Sequence, residues 1–188
     1  MLGKAIIFSA PSGAGKTTIV KRLLKEIPSF AFSTSATTRP IRAGELDGRD
    51  YHFLTVKQFL AKKEAQELLE WEEVYEDTFY GTLKSEVEKI WSNNQQVIFD
   101  VDVKGGLKLK RIFQDRAVSI FVKVPTVELL HERLSKRNTE DQESLKMRIR
   151  KAVLEMEEEP RFDFTVENLD LEDAVAQAKE IVLHFIKN

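Results

Sequence analysis

The stretch Ala10-Pro11-Ser12-Gly13-Ala14-Gly15-Lys16-Thr17-Thr18 constrains this chain more than any other. A short apolar run, Lys4 to Ser9, leads into it, and Ile19, Val20, Leu23, Leu24 and Ile27 follow at helical spacing until Pro28. Strand, tight loop and helix in that order open an α/β domain. Gly13 and Gly15 let the backbone turn its N–H groups onto an anion, and the helix start adds the positive end of its dipole. Lys16 supplies a point charge for β- and γ-phosphates, and Thr17 a hydroxyl for magnesium. Ser12, Ala14 and Thr18 complete the loop. Ala10 stands where the strict phosphate-loop pattern has glycine, which requires only that φ there be negative.

The remaining chain fits that opening. Its 188 residues suit one domain, and 42% apolar with 32% charged content is globular. The polar segment Ser33 to Phe53 is too long for a simple connection and predicts a small insertion with its own hairpins. Gln58 to Ala65 is expected to be a short helix capped by Thr55, with Glu67 to Val74 and Thr78 to Gly81 extended. Leu83, Val87, Ile90 and Trp91 predict a helix, Gln96 to Val103 and Val118 to Val124 buried strands, and Thr126 to Leu134 another helix. Ser135 to Pro160 reads as charged and mostly helical. Phe162 to Val166 reads as a last strand, and Leu171 to Phe185 as a closing amphipathic helix. The expected fold is a three-layer α/β phosphate-loop architecture, a parallel sheet flanked by helices. Its core takes in about 1–33, 83–133 and 159–188, with excursions at about 34–82 and 134–158.

Composition excludes several chemistries. There is no cysteine, hence no disulfide, thiolate nucleophile or Fe–S cluster. His52, His131 and His184 match no metal-ligand spacing. A net charge of −2 gives no general pull on nucleic acid or anionic lipid. No apolar run is long enough to span a membrane. The expectation is a cytoplasmic protein whose partners are small molecules, with self-association left open.

Asp100 ends the apolar run Val97-Ile98-Phe99 and suits a magnesium ion held through water, as carboxylates at the ends of such strands do. Asp102, two residues on, would face the same side of an extended chain. Arg39, Arg42 and Arg49 crowd the polar insertion beside Ser35 and Glu45, with Tyr51 close behind. Arginine forks grip phosphate oxygens, which would make a second anion site for an acceptor already carrying phosphate. On composition alone, a solvated basic loop is as good a reading.

From Gly3 to about Ile186 the chain resembles guanylate kinases. The resemblance is carried, in order and spacing, by SAPSGAGKTT, SATTRPIRAGELDGRDYHF, ELLEW, FYGT, FDVDVKGG, RLSKRNTEDQESLKMR and FDFTVENLDLEDA. It implies magnesium-dependent transfer of the ATP γ-phosphoryl group to GMP, and to dGMP, with a monophosphate-binding lobe at 34–82 and a lid at 134–158. By the same resemblance Arg39, Arg42, Tyr51 and Tyr80 hold the GMP phosphate. Ser35, Glu70, Thr82 and Asp102 surround guanine, and Glu45 orders the arginines. Arg137 and Arg148 close over the transferring phosphates, and Asn168 lies near adenine. The chain departs from the family pattern at Ala10, Lys104 and Leu169, and carries one residue more than usual between Trp71 and Tyr80. A non-catalytic module of the same type and a phosphate-loop kinase for another small acceptor are the alternatives.

Overall fold

A computed structural model describes residues 3–135 and 142–187. Its elements run β1 (Ala5–Ser9), α1 (Lys16–Glu26), β2 (Phe30–Phe32), β3 (Ala36–Thr37), β4 (His52–Phe53), α2 (Val56–Glu64), β5 (Leu68–Tyr75), β6 (Thr78–Leu83) and α3 (Lys84–Ser92). Then come β7 (Gln96–Val101), α4 (Val103–Phe113), β8 (Ala117–Lys123), α5 (Val127–Ser135), α6 (Gln142–Met156), β9 (Phe164–Glu167) and α7 (Leu171–Lys187). The first sheet has the order β2-β7-β1-β8-β9 and is parallel throughout.

Alternation of side chains builds the two faces of this sheet. Ile6 and Phe8 of β1 join Ile98, Val118, Ile120 and Val122 in one apolar layer, closed by Ile19, Val20 and Leu23 of α1 and by Ala174, Val175, Ala178 and Val182 of α7. Ala5 and Ile7 point the other way with Val97 and Phe99, against Val87 and Ile90 of α3 and Leu109 and Phe113 of α4. Three layers result, as the apolar runs predict. No helix among the described residues is long and apolar enough to cross a membrane.

The second sheet, β4-β3-β6-β5, lies wholly within the polar excursion and its exit. It has a core of its own, Ala36, Phe59, Leu68, Phe79 and Leu83, with the rings of Phe59 and Phe79 stacked 5.3 Å apart. Thr55 caps α2 in a reciprocal box with Gln58, as expected. The segment from Trp71 to Tyr80 forms the β5–β6 hairpin. Pairing slips between Glu73 and Tyr75, and Asp77 turns the chain at φ 56°. Beyond the slip Glu70 still faces Thr82, and Glu72 still faces Tyr80.

Two features depart from the sequence expectation. The strand from Gln96 ends at Val101 instead of Val103, and α4 begins at once. Gly105 and Gly106 conceal that helix, because glycine weakens helices and the apolar spacing is broken there. Both are needed for close approach. A Cβ on Gly106 would lie 2.1 Å from the Ser9 hydroxyl, and one on Gly105 would lie 3.1 Å from an Asp102 oxygen and 3.2 Å from a Glu70 oxygen. The short edge strand β2 also escapes the pattern, since three residues show no period.

Candidate active site

The C-terminal ends of β1 and β7 meet the second sheet and α6 around a cleft of about 710 Å³. Residues 12–18 form one end. Gly13 and Gly15 take φ of 89° and 87°, a left-handed conformation that costs an L side chain about 1–2 kcal/mol. Gly15 caps α1 with no side-chain bond to the first-turn N–H groups, of which that of Thr18 donates to the Gly15 carbonyl at 3.1 Å. Ala10 is buried at the entry to the loop and is not among its left-handed residues.

At the floor of this end, Lys16 Nζ pairs with Asp100 Oδ1 at 2.6 Å and also donates to the Val101 carbonyl. Thr17 Oγ1 donates to Asp100 Oδ2 at 2.6 Å. A hydroxyl and a carboxylate this close are hard oxygen donors of the kind magnesium takes when phosphates and water fill the rest of its shell. Among the described residues no three carboxylates or histidines gather to hold an ion by themselves. The pair therefore fits a metal that arrives with a phosphate ligand.

Asn168 sits under the loop. Its amide donates 2.7 Å to the Ala14 carbonyl, and the side chain lies where a Cβ on Gly15 would stand, 2.2 Å from its nitrogen. In this structure it buttresses phosphate-loop backbone, a contact that the expectation of a place beside adenine does not contain. From above, Arg148 of α6 donates to the Ser12 hydroxyl at 2.6 Å. Arg137 lies outside the described residues.

The opposite end is built from side chains on the second sheet and on the loops that lead into and join β3 and β4. Ser35, Arg42, Tyr51 and Tyr80 stand on the cleft wall, with the two tyrosine rings edge-on at 5.9 Å. Burial pushes the Tyr51 hydroxyl up, so it stays protonated and able to donate. Arg39 lies behind this wall, its guanidinium 4.8 Å over the Tyr51 ring and 5.4 Å over Phe53. Its fork grips Glu45 at 2.5 and 2.7 Å, and Glu45 also accepts from the Arg42 amide at 2.8 Å. That grip holds the Glu45 carboxyl down at about 2. Glu45 thus ties both arginines together, although Arg39 spends its fork on it and not on the cleft.

Glu70 marks the deepest point. It is 8% exposed, and Oε1 accepts from Thr82 Oγ1 at 2.6 Å. Burial pushes its carboxyl up to about 7, opposed by the Thr82 bond, and the Asp102 charge raises it further. Thr82 is itself fully buried and acts through Glu70. Asp102 keeps extended dihedrals (φ −68°, ψ 173°) and lines the same cleft as Asp100. It is also the N-cap of α4, accepting from Gly105 N at 2.7 Å, and lies across Gly105 from Glu70.

Sequence reasoning passed over several wall residues. Lys151 and Glu155 share a helix face with Arg148, and the spacing 148, 151, 155 could have revealed them. Glu72 lies two residues beyond Glu70 on the same strand face, and Tyr75 stands 57% exposed at the rim. Glu72 is paired at 2.6 Å with Lys108 of α4, which also donates to the Trp71 carbonyl at 2.8 Å.

Comparison with known proteins settles the class. The family model described as guanylate kinase matches residues 2–185. The chain belongs to the guanylate kinase family. It is 48% identical over 186 residues to a guanylate kinase of Bacteroides thetaiotaomicron, covering 99% of this chain and 91% of that one. It is 47% identical over 183 residues to a guanylate kinase of Salinibacter ruber, covering 97% of each. The crystal structure of a guanylate kinase from Anaplasma phagocytophilum superposes with a TM-score of 0.81 at 24% identity, over 100% of this chain and 88% of that one, a likeness of fold. This guanylate kinase family member therefore has the architecture read from its apolar runs and phosphate loop.

Proposed function

We propose that the chain transfers the γ-phosphoryl group of ATP to GMP, and to dGMP, with magnesium, giving ADP and the nucleoside diphosphate. One observation carries the acceptor's identity: a buried carboxylate, Glu70, shares its cleft with the phosphate-loop lysine. One Glu70 oxygen is engaged by Thr82, and the other borders Gly105, beside Asp102. Two acceptor groups side by side match guanine, whose N1–H and exocyclic amine are adjacent donors, whereas adenine N1 is an acceptor.

In the reaction an oxygen of the acceptor phosphate bonds to the γ-phosphorus while the bond to the β–γ bridging oxygen breaks, and ADP leaves with that electron pair. An ionised phosphate is already a nucleophile, so alignment and charge stabilisation do the work. Backbone N–H groups of the loop 13–18 cradle the donor phosphates. Lys16 exchanges Asp100 and the Val101 carbonyl for phosphate oxygens. Arg42, Tyr51, Tyr80 and Ser35 orient the acceptor phosphate, with Arg39 holding the Tyr51 ring and, once it turns from Glu45, adding its own fork. Arg148 reaches the transferring group from α6, joined by Arg137. Asn168 fixes the Ala14–Gly15 peptide and the adenine side of the site. Magnesium, when bound, offsets charge on the β- and γ-phosphates, and Thr17 with Asp100, through water, would hold it. Closure of the spans 34–82 and 134–158 onto the core excludes water as a competing acceptor.

The test is purified protein with ATP and a panel of GMP, dGMP, AMP, CMP, UMP and ribose phosphates. Turnover confined to GMP and dGMP is expected. Preference for any other acceptor overturns the assignment of Glu70, and no turnover with any of them leaves a binding module.

A further inference from the structure

Behind β5, on the side away from the phosphate loop, lies a second groove of about 640 Å³. It joins the two halves of the molecule: Lys63, Leu68 and Trp71 come from α2 and β5, and Lys84, Lys108 and Arg111 from α3 and α4. Its floor is apolar, with Leu68, Leu69, Trp71 and the 43% exposed Ile112. Its rim is cationic. Lys63 Nζ lies 3.7 Å and Lys108 Nζ 5.6 Å from the centroid of the Trp71 ring.

The charge balance of this groove differs from that of the chain. Acids outnumber bases 31 to 29 overall, yet four cations rim the groove and Glu70 is its only carboxylate residue. That carboxylate is spent on Thr82 and borders the main cleft. Lys108 has Glu72, but Lys63, Lys84 and Arg111 make no ion pair among the described residues. Cations gathered without acids repel one another even at a surface, and an anion reverses the sign. A cavity at a structural junction, with an apolar floor and a few convergent charges, is also the usual form of a small-molecule site.

We propose that this groove is a second ligand site, separate from the phosphate-transfer cleft, which takes the phosphate groups of a small anionic molecule. Lys63, Lys84 and Arg111 grip the phosphates, and Lys108 adds charge from the Glu72 side. Free polyphosphate and a phosphorylated ring compound share this chemistry, and the apolar floor would favour the second.

The experiment is calorimetric titration with inorganic pyrophosphate and, separately, UDP, without metal, on protein whose main cleft is filled by an adenosine–guanosine bisubstrate polyphosphate. Binding of that analogue is measured first, so its failure counts against the proposed function and not against the groove. In that case the comparison of variants below still decides the groove. Wild type should bind one equivalent of UDP, and Lys63→Ala/Lys84→Ala/Arg111→Ala should weaken it at least tenfold while leaving GMP turnover and the melting temperature near wild type. The charge-conserving Lys63→Arg/Lys84→Arg/Arg111→Lys should bind within about threefold of wild type, because the rim keeps its charge. UDP binding tighter than pyrophosphate assigns the floor a part, and equal binding assigns the site to its rim alone. Equal affinity in wild type and the alanine variant, or binding no stronger than sulfate at matched ionic strength, overturns the proposal.

Discussion

The two ends of the cleft handle negative charge by different means. At the phosphate loop the ligand-facing groups are backbone N–H groups on a helix start, fixed by two left-handed glycines and by Asn168 beneath. At the other end they are side chains on β5, β6 and the loop between β3 and β4, fixed by one another through Arg39–Glu45, Tyr51–Tyr80 and Glu70–Thr82. A backbone site depends on conformation more than on the identity of its side chains. A side-chain site depends on each pair, and losing one member leaves a charge or a donor without its partner.

The largest effect expected is at the side chain that brings a full positive charge into the backbone end, Lys16. Lys16→Ala should lower kcat by about 10²-fold or more, the usual loss when a transition-state charge contact is removed, with the fold intact. Retention of more than about a tenth of wild-type kcat would erase the contrast at this point.

Glu70→Gln sharpens the comparison at the other end. kcat/KM for GMP should fall about 30- to 1000-fold, from roughly 2–4 kcal/mol of lost and mismatched hydrogen bonding, while side activity with AMP falls much less. Equal losses for both acceptors would place Glu70 in folding instead. The same variant separates function from stability. The Glu70 carboxyl rises from 4.5 to about 7 on folding, so the cost of burying its charge is absent below pH 4.5 and complete above pH 7. At pH 8 that cost is about 3 kcal/mol, and Glu70→Gln should be more resistant to urea there, with the difference falling below about 1 kcal/mol near pH 5 and vanishing at lower pH. For the same reason wild-type KM for GMP should rise as pH falls through 7, since a protonated Glu70 opposes a donor to a donor.

Glu45→Ala should raise KM for GMP about tenfold with little change in kcat, by releasing the fork of Arg39 and the amide of Arg42 that it holds together. Unchanged KM would show that the arginines are placed without it. Smallest is Lys108→Ala, expected to raise KM for GMP about threefold by loosening β5 from α4, a partly exposed contact of modest strength. Lys108→Arg should restore it, and a change in kcat instead of KM would deny this positioning role.

The same contrast explains what the sequence discloses. The phosphate loop itself is contiguous, nine residues from Ala10 to Thr18, so Gly13, Gly15, Lys16 and Thr17 are legible directly. The parallel sheet is equally legible, because buried strands are continuous apolar runs. In the second sheet β3 and β4 have two residues each, too few for any period, and the partners Glu70 and Thr82 are twelve residues apart across a hairpin with a slipped pair. Only resemblance to a family brings those residues together. Asp102 illustrates a different failure: two glycines masked the helix that it caps. Asn168 could not be read as a support for the loop because the contact spans 154 positions.

The pairing of Lys16 with Asp100, and of Arg39 with Glu45, has a consequence for how ligands arrive. In the empty protein these cations already possess internal counter-ions, so little salt condenses on them from solution. Nucleotide entry then exchanges one bound anion for another and expels few dissolved ions. Affinity for the nucleotides should accordingly vary with ionic strength less than the number of cations in the cleft would suggest.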